Sequence, residues 1–211
     1  MEIRSYIKSM INERRRQPRG DLMGKFVAAE SEGQRLSEAE LINTCVTLFT
    51  AGHETTLSLI SNTIYTLLAN PDQYQLLRHD SGLLESAIEE SLRYESPVSR
   101  QSRLMKDDTE LAGKKLKKGD IVFQMLNAAN RDPAYFADPD KFDIQRKKNR
   151  HIAFGQGIHF CVGAALSRTE ATIAVGTALK RFPNLRLVND QPDWDVSKRN
   201  SRVLRSLPVQ L

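Results

Sequence analysis

One long stretch without a helix breaker constrains the fold of this chain more than any other feature. Ser37, followed three residues later by Glu40, is a hydroxyl cap with a carboxylate, which predicts a helix start. Nothing ends the helix outright from there to about Leu68, just before Asn70 and Pro71. A helix of roughly thirty residues is about 45 Å long. Its first half is apolar or Thr on every side, so we expect it to run through the interior of the protein.

The other periodicities predict a mainly α fold with a small β portion. Apolar residues at helical spacing predict helices before and after the long one, while short alternating stretches with turn glycines predict strands. We interpret the chain as one domain with six consecutive segments: lead-in helices (1–36), the long helix (37–69), two further helices (71–95), a small antiparallel sheet and a loop (98–150), a loop and an Ala-rich helix (151–182), and terminal strands (183–211).

Composition favours no special class of protein. Hydrophobic residues make up 40% and charged residues 27% of the chain, as in ordinary globular proteins. The net charge of +5 is spread along the chain, so it indicates a bias toward acidic partners rather than nucleic-acid binding. Two cysteines cannot form a disulfide framework, which suits a reducing compartment. No apolar run approaches the ~20 residues of a membrane span, and the start lacks the apolar core of a signal peptide. We therefore expect a cytoplasmic protein without membrane contact.

The strongest chemical signal is the segment from Phe154 to Gly163, which contains Cys161. Gly155 and Gly157 allow backbone conformations that side chains forbid, which suits a tight loop pressed against a flat ligand. We expect Cys161 to open a helix, whose positive end favours a thiolate. Gly163 removes a side chain where that helix would otherwise collide with something broad.

A thiolate in this setting could be a nucleophile, a zinc ligand or a heme ligand. A structural zinc site needs four ligands with closely spaced pairs, and only His159 stands near Cys161 at such spacing. A nucleophile needs a nearby base. His159, two positions away, is badly placed to turn its ring onto the sulfur. An ordinary core cysteine is the plainest alternative, which the flanking glycines disfavour.

The segment resembles the heme-binding loop of the cytochrome P450 family, above all its soluble bacterial members, at Phe154, Gly155, Gly157, His159, Cys161 and Gly163. The resemblance implies that Cys161 is the axial ligand of heme b (iron protoporphyrin IX). It implies that Phe154 packs beside the sulfur, that N–H groups after Cys161 tune its charge, and that His159 meets a heme propionate. Family members carry a comparable length of chain before their long helix, so the chain corresponds to the C-terminal, heme-binding half.

The long helix carries a second motif, which runs from Ala51 to Thr56. The small residues Ala51 and Gly52 leave room for a ligand against the helix, and a glycine in a helix interior costs about 1 kcal/mol relative to alanine. Taken alone, the motif is equally compatible with an ordinary helix and a packing glycine. It resembles the family's oxygen-activating motif, which implies that Glu54 and Thr55 are the acid and the alcohol that carry protons to bound dioxygen.

Glu90 and Arg93 stand three residues apart on a predicted helix, which by itself is a weak signal. The resemblance implies that they form the family's buried structural ion pair, which contacts a third basic residue in a later loop. Lys141 and Arg131 are both candidates for that residue. Arg103 lies where the family places an arginine against a heme propionate.

The resemblance implies a monooxygenase that inserts one atom of dioxygen into a small hydrophobic organic substrate. Electrons would come from NAD(P)H through a ferredoxin or flavodoxin, and Lys147, Arg150 and Arg168 are candidates for its docking face. One alternative is a truncated, catalytically silent heme-fold protein, or a fragment that needs its N-terminal half. Another is peroxide-driven oxidation without a redox partner, which the Glu54–Thr55 pair disfavours.

Overall fold

A computed structural model of the chain describes residues 3–31 and 36–211, so part of the predicted lead-in segment lies outside the described residues. Helices dominate: α1 Ile3–Arg16, α2 Leu22–Ser31, α3 Glu38–Ala69, α4 Pro71–His79, α5 Leu84–Tyr94, α6 Leu126–Ala129 and α7 Ala164–Arg181. The strands are short: β1 Gln101–Leu104, β2 Thr109–Leu111, β3 Lys114–Leu116, β4 Ile121–Gln124, β5 Arg186–Leu187, β6 Asp193–Trp194, β7 Leu204–Ser206 and β8 Val209–Gln210. The predicted mainly α fold with a small β portion is confirmed.

The strands form separate antiparallel pairs rather than one small sheet. β1 pairs with β4 and β2 with β3, and near the C-terminus β5 pairs with β8 and β6 with β7. Ala112 and Gly113 both have positive φ, which closes the tight β2–β3 hairpin. The alternating pattern predicted the strands correctly. It did not predict that β2 and β3 would form a hairpin separate from the β1–β4 pair.

The chain divides into two compact units, residues 1–54 and 55–211, and α3 contributes to both. The core of the first unit consists of buried side chains from its three helices: Ile7, Ile11, Val27, Leu41, Ile42 and Cys45. Cys45 is therefore a core residue, and burial raises the pKa of its thiol. The predicted helix start is correct, since Glu40 N–H donates to Ser37 Oγ (3.3 Å) and Ser37 N–H to Glu40 Oε2 (2.8 Å).

The first half of α3 lies less deep than its sequence predicts. Phe49 is 58% exposed, and Thr47, Thr50 and His53 are exposed as well. The expectation of burial on every side is wrong for the described residues, because α1 and α2 are short and cover only the face that carries Leu41, Ile42 and Cys45.

The core of the second unit joins α4, α5, α7 and the second half of α3. One cluster packs Leu67, Tyr74, Leu77, Ala87 and Val175 against Phe142 and Ile144 of the long loop. Another packs Leu59, Ile88, Leu92 and Ala171 against Ala153 and, at its edge, Phe154. This second cluster anchors the start of the loop that carries Cys161 (residues 152–164, the cysteine loop) to α5 and α7. None of the described helices has both the length and the apolar character needed to cross a membrane.

Candidate heme site

The segment 152–164 forms a tight loop that its own backbone stabilises. Gly155 and Gly157 have φ of 72° and 70°, a region that side-chain-bearing residues rarely occupy. The N–H of Cys161 donates to the carbonyl of Phe154 (3.0 Å), and the N–H of Gly155 donates to Ile152 (2.9 Å). The two glycines therefore fold the chain back so that Phe154 and Cys161 lie side by side.

The loop carries its cysteine at the protein surface. Cys161 is exposed, whereas Cys45 is buried. Its neighbours are exposed apolar side chains: Ile158 is 98%, Val162 88% and Phe160 53% exposed. An accessible thiol among exposed apolar side chains fits a broad apolar ligand, because covering such a surface is favourable.

The sequence predicted that Cys161 opens the helix, and this prediction is wrong. α7 begins at Ala164, with Gly163 as the N-cap residue. Cys161 belongs to the loop because its N–H is bound to Phe154 and its carbonyl accepts the N–H of Ala164 (3.2 Å). A Cβ atom added to Gly163 would meet only Cys161 Sγ, at an ordinary 3.9 Å. The described residues alone therefore do not require glycine at this position.

Phe154 connects the loop to a charged network. The guanidinium carbon of Arg168 lies 4.5 Å from the centre of the Phe154 ring, and the His151 ring lies 6.4 Å away. Arg168 also forms a two-pronged ion pair with Glu89 (2.6 and 3.0 Å), and His151 Nε2 lies 3.1 Å from Glu89 Oε2. The sequence interpretation missed Glu89 and His151, although His151 stands only three residues before Phe154.

The network stabilises the ionised form of Glu89. Burial raises the pKa of this carboxyl, but the hydrogen bonds from His151 and Arg168 outweigh burial, and the resulting pKa is about 2. The same hydrogen bond to Glu89 raises the pKa of Arg168. Because His151 Nδ1 accepts the N–H of Ala153 (3.2 Å), its Nε2 carries the proton that is donated to Glu89.

Glu90 and Arg93 form a fully buried, bidentate ion pair, with Nε–Oε2 and Nη2–Oε1 distances of 2.8 Å. The remaining donors of Arg93 reach the carbonyls of Asn130, Pro139 and Lys141 at 3.0, 2.7 and 2.9 Å. Burial of such a pair is tolerated only when its hydrogen bonds are made in this way. The pair therefore fixes the path of the long loop before the cysteine segment.

The third member of this ion-pair network is Arg146, whose Nε lies 3.2 Å from both carboxylate oxygens of Glu90. Both candidates from the sequence were wrong for this role. Lys141 contributes its backbone carbonyl, because its position in the loop turns its main chain toward Arg93. Arg131 binds the carbonyl of Tyr94 and the carboxylate of Asp140.

The other proposed site residues occupy varied settings. Arg103 is half-buried in β1, where its guanidinium donates to Ser102 O and Gln101 Oε1. His159 is exposed at the end of a short 3₁₀ turn. In α3, Ala51 and Gly52 are exposed, and Glu54 and Thr55 are half-buried. Apart from the nearby helix backbone, no atom of the described residues lies within 4 Å of a Cβ added to Gly52. The next residue, Thr56, donates from its Oγ1 to Ser167 Oγ (3.3 Å), which joins α3 to α7.

The residues at the loop fit a heme. Heme brings four nitrogen ligands of its own, so the protein has to supply only an axial donor, and the Cys161 sulfur is such a donor. Among the residues that the structure describes, no group of three or more His, Cys, Asp or Glu side chains is placed to hold a metal ion.

The family model for Cytochrome P450 matches residues 1–211. Cytochrome P450 107B1 of Saccharopolyspora erythraea is 48% identical over 208 residues, which are 97% of this chain and 51% of that protein. The chain thus spans about half the length of the curated relatives it matches.

Solved structures agree with this assignment. CYP109E1 from Bacillus megaterium in complex with testosterone aligns with a TM-score of 0.95 at 40% identity, over 99% of this chain and 54% of that one. P450BioI, in complex with an acyl carrier protein ligated to hexadec-9Z-enoic acid, aligns with a TM-score of 0.93 at 40% identity, over 100% and 53%. The chain belongs to the cytochrome P450 family.

Proposed function

We propose that the chain is the heme-binding half of a monooxygenase that binds heme b through the Cys161 thiolate. The observation that carries the proposal is the exposed cysteine on a loop whose conformation depends on Gly155 and Gly157. Heme bound to a thiolate supplies the activation of dioxygen, by pushing electron density toward the oxygen. Within the loop, the hydrogen bond between Cys161 N–H and Phe154 O holds the cysteine in place.

The proton supply is assigned to α3. The Glu54 carboxyl would donate a proton to the Thr55 hydroxyl oxygen, and the hydroxyl would pass on its own proton as it receives this one. Ala51 and Gly52 are small, and the space around Gly52 is open, so the helix surface there can accept a ligand. Arg103 and His159 are proposed to bind the heme propionates, since Arg103 is a half-buried base on β1 and His159 is exposed two residues before Cys161.

The substrate is proposed to be a small hydrophobic organic molecule. The similar structures have been solved with chemically different compounds, namely testosterone and a fatty acid carried by an acyl carrier protein. Both are dominated by apolar carbon, which is the property that we transfer to this chain. A cytoplasmic location remains a prediction of the sequence, based on its two unpaired cysteines.

Electrons are proposed to come from NAD(P)H through an acidic ferredoxin or flavodoxin. A surface pocket of about 770 Å³ supports this proposal, because its lining includes the exposed bases Lys147, Lys148 and Arg150. Glu89 lines the same pocket, so the cysteine-loop network lies beside these bases. Arg168 contributes less to docking than the sequence suggested, because its guanidinium is bound to Glu89.

Absorption spectroscopy tests the proposal. The chain is mixed with heme, reduced and exposed to carbon monoxide, and we expect a Soret band shifted far to the red, as thiolate ligation produces. Cys161→Ala should abolish this band, and Cys45→Ala should retain it, because Cys45 is a core residue.

A Soret band at the position typical of histidine ligation would refute the role of Cys161. If the chain takes up no heme, the alternative of a fragment or a silent heme-fold protein is favoured. Turnover supported by peroxide but not by NAD(P)H with a reductase would favour the peroxide-driven alternative.

A further inference from the structure

Glu89 has no role in the proposed reaction, yet its carboxylate is held in place and kept ionised by basic partners. It is half-buried on α5, and it has two basic partners from distant parts of the chain, His151 and Arg168. The side chain of His151 is only 3% exposed. A carboxylate with two such partners holds together the elements that carry them.

Both partners of Glu89 act on the cysteine loop. Arg168 extends from the first turns of α7 and lies over the ring of Phe154. His151 directly precedes the loop, and its Nδ1 accepts the N–H of Ala153. The loop start is fixed further by Asn130, whose Oδ1 accepts the N–H of Ile152 at 2.8 Å. Phe154 is therefore held through its ring by Arg168 and through the preceding backbone by His151 and Asn130.

Phe154 passes this constraint to the ligand residue. Its carbonyl accepts the N–H of Cys161, and its ring lies 6.4 Å from that of Phe160, the residue before the cysteine. A displacement of Phe154 would therefore displace the backbone that carries the sulfur. The path from Glu89 to Cys161 contains only direct contacts.

We infer that Glu89 is a positioning residue for Cys161, which acts through His151, Arg168 and Phe154 to hold the sulfur in place for the heme iron. The neighbouring carboxylate has a different task, since Glu90 binds Arg93, Arg146 and the N–H of Asp143 in the preceding loop. The statement about the iron rests on the proposed function. The statement about loop order concerns this chain alone.

Hydrogen exchange of the Cys161 amide tests the inference without heme, because that amide is bound to Phe154. In Glu89→Gln we expect it to exchange about tenfold faster, a change equivalent to about 1.4 kcal/mol of local opening. Amides in the middle of α7, such as that of Ala171, should change much less. Arg168→Lys should give a smaller acceleration, because it keeps the charge but loses the planar fork. Glu85→Gln, an exposed carboxylate on the same helix, is the matched control.

Equal exchange of the Cys161 amide in Glu89→Gln and Glu85→Gln would overturn the inference. So would equal acceleration of the Cys161 and Ala171 amides, because that result would show a general loss of stability. With heme and carbon monoxide, Glu89→Gln should show a smaller share of the far-red band than the unmodified chain. If the unmodified chain binds no heme, the proposed function fails, and the exchange experiment still decides the role of Glu89 in the loop.

Discussion

At the scale of single residues, two adjacent carboxylates on α5 each fix a different loop of the site. Glu90 is fully buried and receives Arg93, Arg146 and a backbone N–H, whereas Glu89 is half-buried and receives His151 and Arg168. The first carboxylate fixes the long loop before residue 150. The second fixes the cysteine loop that follows.

Glu90→Gln should be among the most destabilising single substitutions in this chain. Removing the charge leaves Arg93 and Arg146 without their carboxylate in a dry environment, which costs about 3–5 kcal/mol. Urea unfolding followed by circular dichroism measures the change. Glu85→Gln should change the unfolding free energy by less than about 0.5 kcal/mol. A loss below about 1 kcal/mol for Glu90→Gln would contradict this account of the buried pair.

The Glu89 network predicts a specific dependence of stability on pH. Its carboxyl has a pKa of about 2 in the folded chain and an ordinary value of 4.5. Because the folded-state pKa is depressed, the stabilisation is fully present above about 4.5 and is lost as the pH falls toward 2. The advantage of the unmodified chain over Glu89→Gln should therefore shrink across this window. Urea midpoints measured at several pH values test this, and a constant difference would refute it.

At the scale of elements, the two halves of α3 differ in how far other residues cover them. Its second half is anchored by Asn62, which is fully buried and donates to the carbonyls of Glu95 (3.1 Å) and Arg202 (3.0 Å). Its first half leaves Phe49 and the Ala51–Gly52 pair exposed. A helix with one anchored half and one open surface is suited to present a motif to a ligand.

Gly52→Ala separates the stability of α3 from its function. Within the described part of the chain, the added Cβ meets no atom within 4 Å beyond the nearby helix backbone. Alanine should therefore stabilise the ligand-free chain by up to about 1 kcal/mol through its higher helix propensity. If the open space at Gly52 serves the proposed site, the same variant should bind carbon monoxide or heme more weakly. Thermal unfolding and heme titration measure the two effects. A gain in stability with unchanged binding would leave Gly52 without a role in the site.

At the scale of the whole molecule, charge and exposed apolar surface bear on where the proposed partners would bind. The net charge is +5, and Lys147, Lys148 and Arg150 line one surface pocket. Large apolar side chains are exposed around the cysteine loop, among them Ile158, Phe160, Val162 and Leu166. The first surface suits an acidic protein, and the second suits an apolar ligand.

Binding of an acidic ferredoxin should weaken as salt rises, because exposed charges are screened. Lys147→Glu combined with Lys148→Glu should weaken binding about tenfold at low salt and reduce its dependence on salt. The control is Lys114→Glu combined with Lys115→Glu, which reverses two exposed charges in β3. Surface plasmon resonance at several salt concentrations measures both variants. Equal weakening by both pairs would show a general charge effect and refute a docking site at the pocket.

The sequence by itself determined the features that depend on neighbours along the chain. The helix start at Ser37 follows from a hydrogen bond between residues three positions apart. The cysteine loop follows from two glycines, which adopt positive φ without a steric penalty. The family resemblance rested on this loop, and the comparisons confirmed the family.

Only the tertiary structure decided which distant residues meet. Arg146 lies 56 residues from Glu90, and His151 and Arg168 lie 62 and 79 residues from Glu89. Which base reaches which carboxylate depends on the path of the loops between them, and no local periodicity encodes that path. The exposure of the first half of α3 likewise depends on which elements cover it, because an apolar pattern states what a helix can bury and not what is present to bury it.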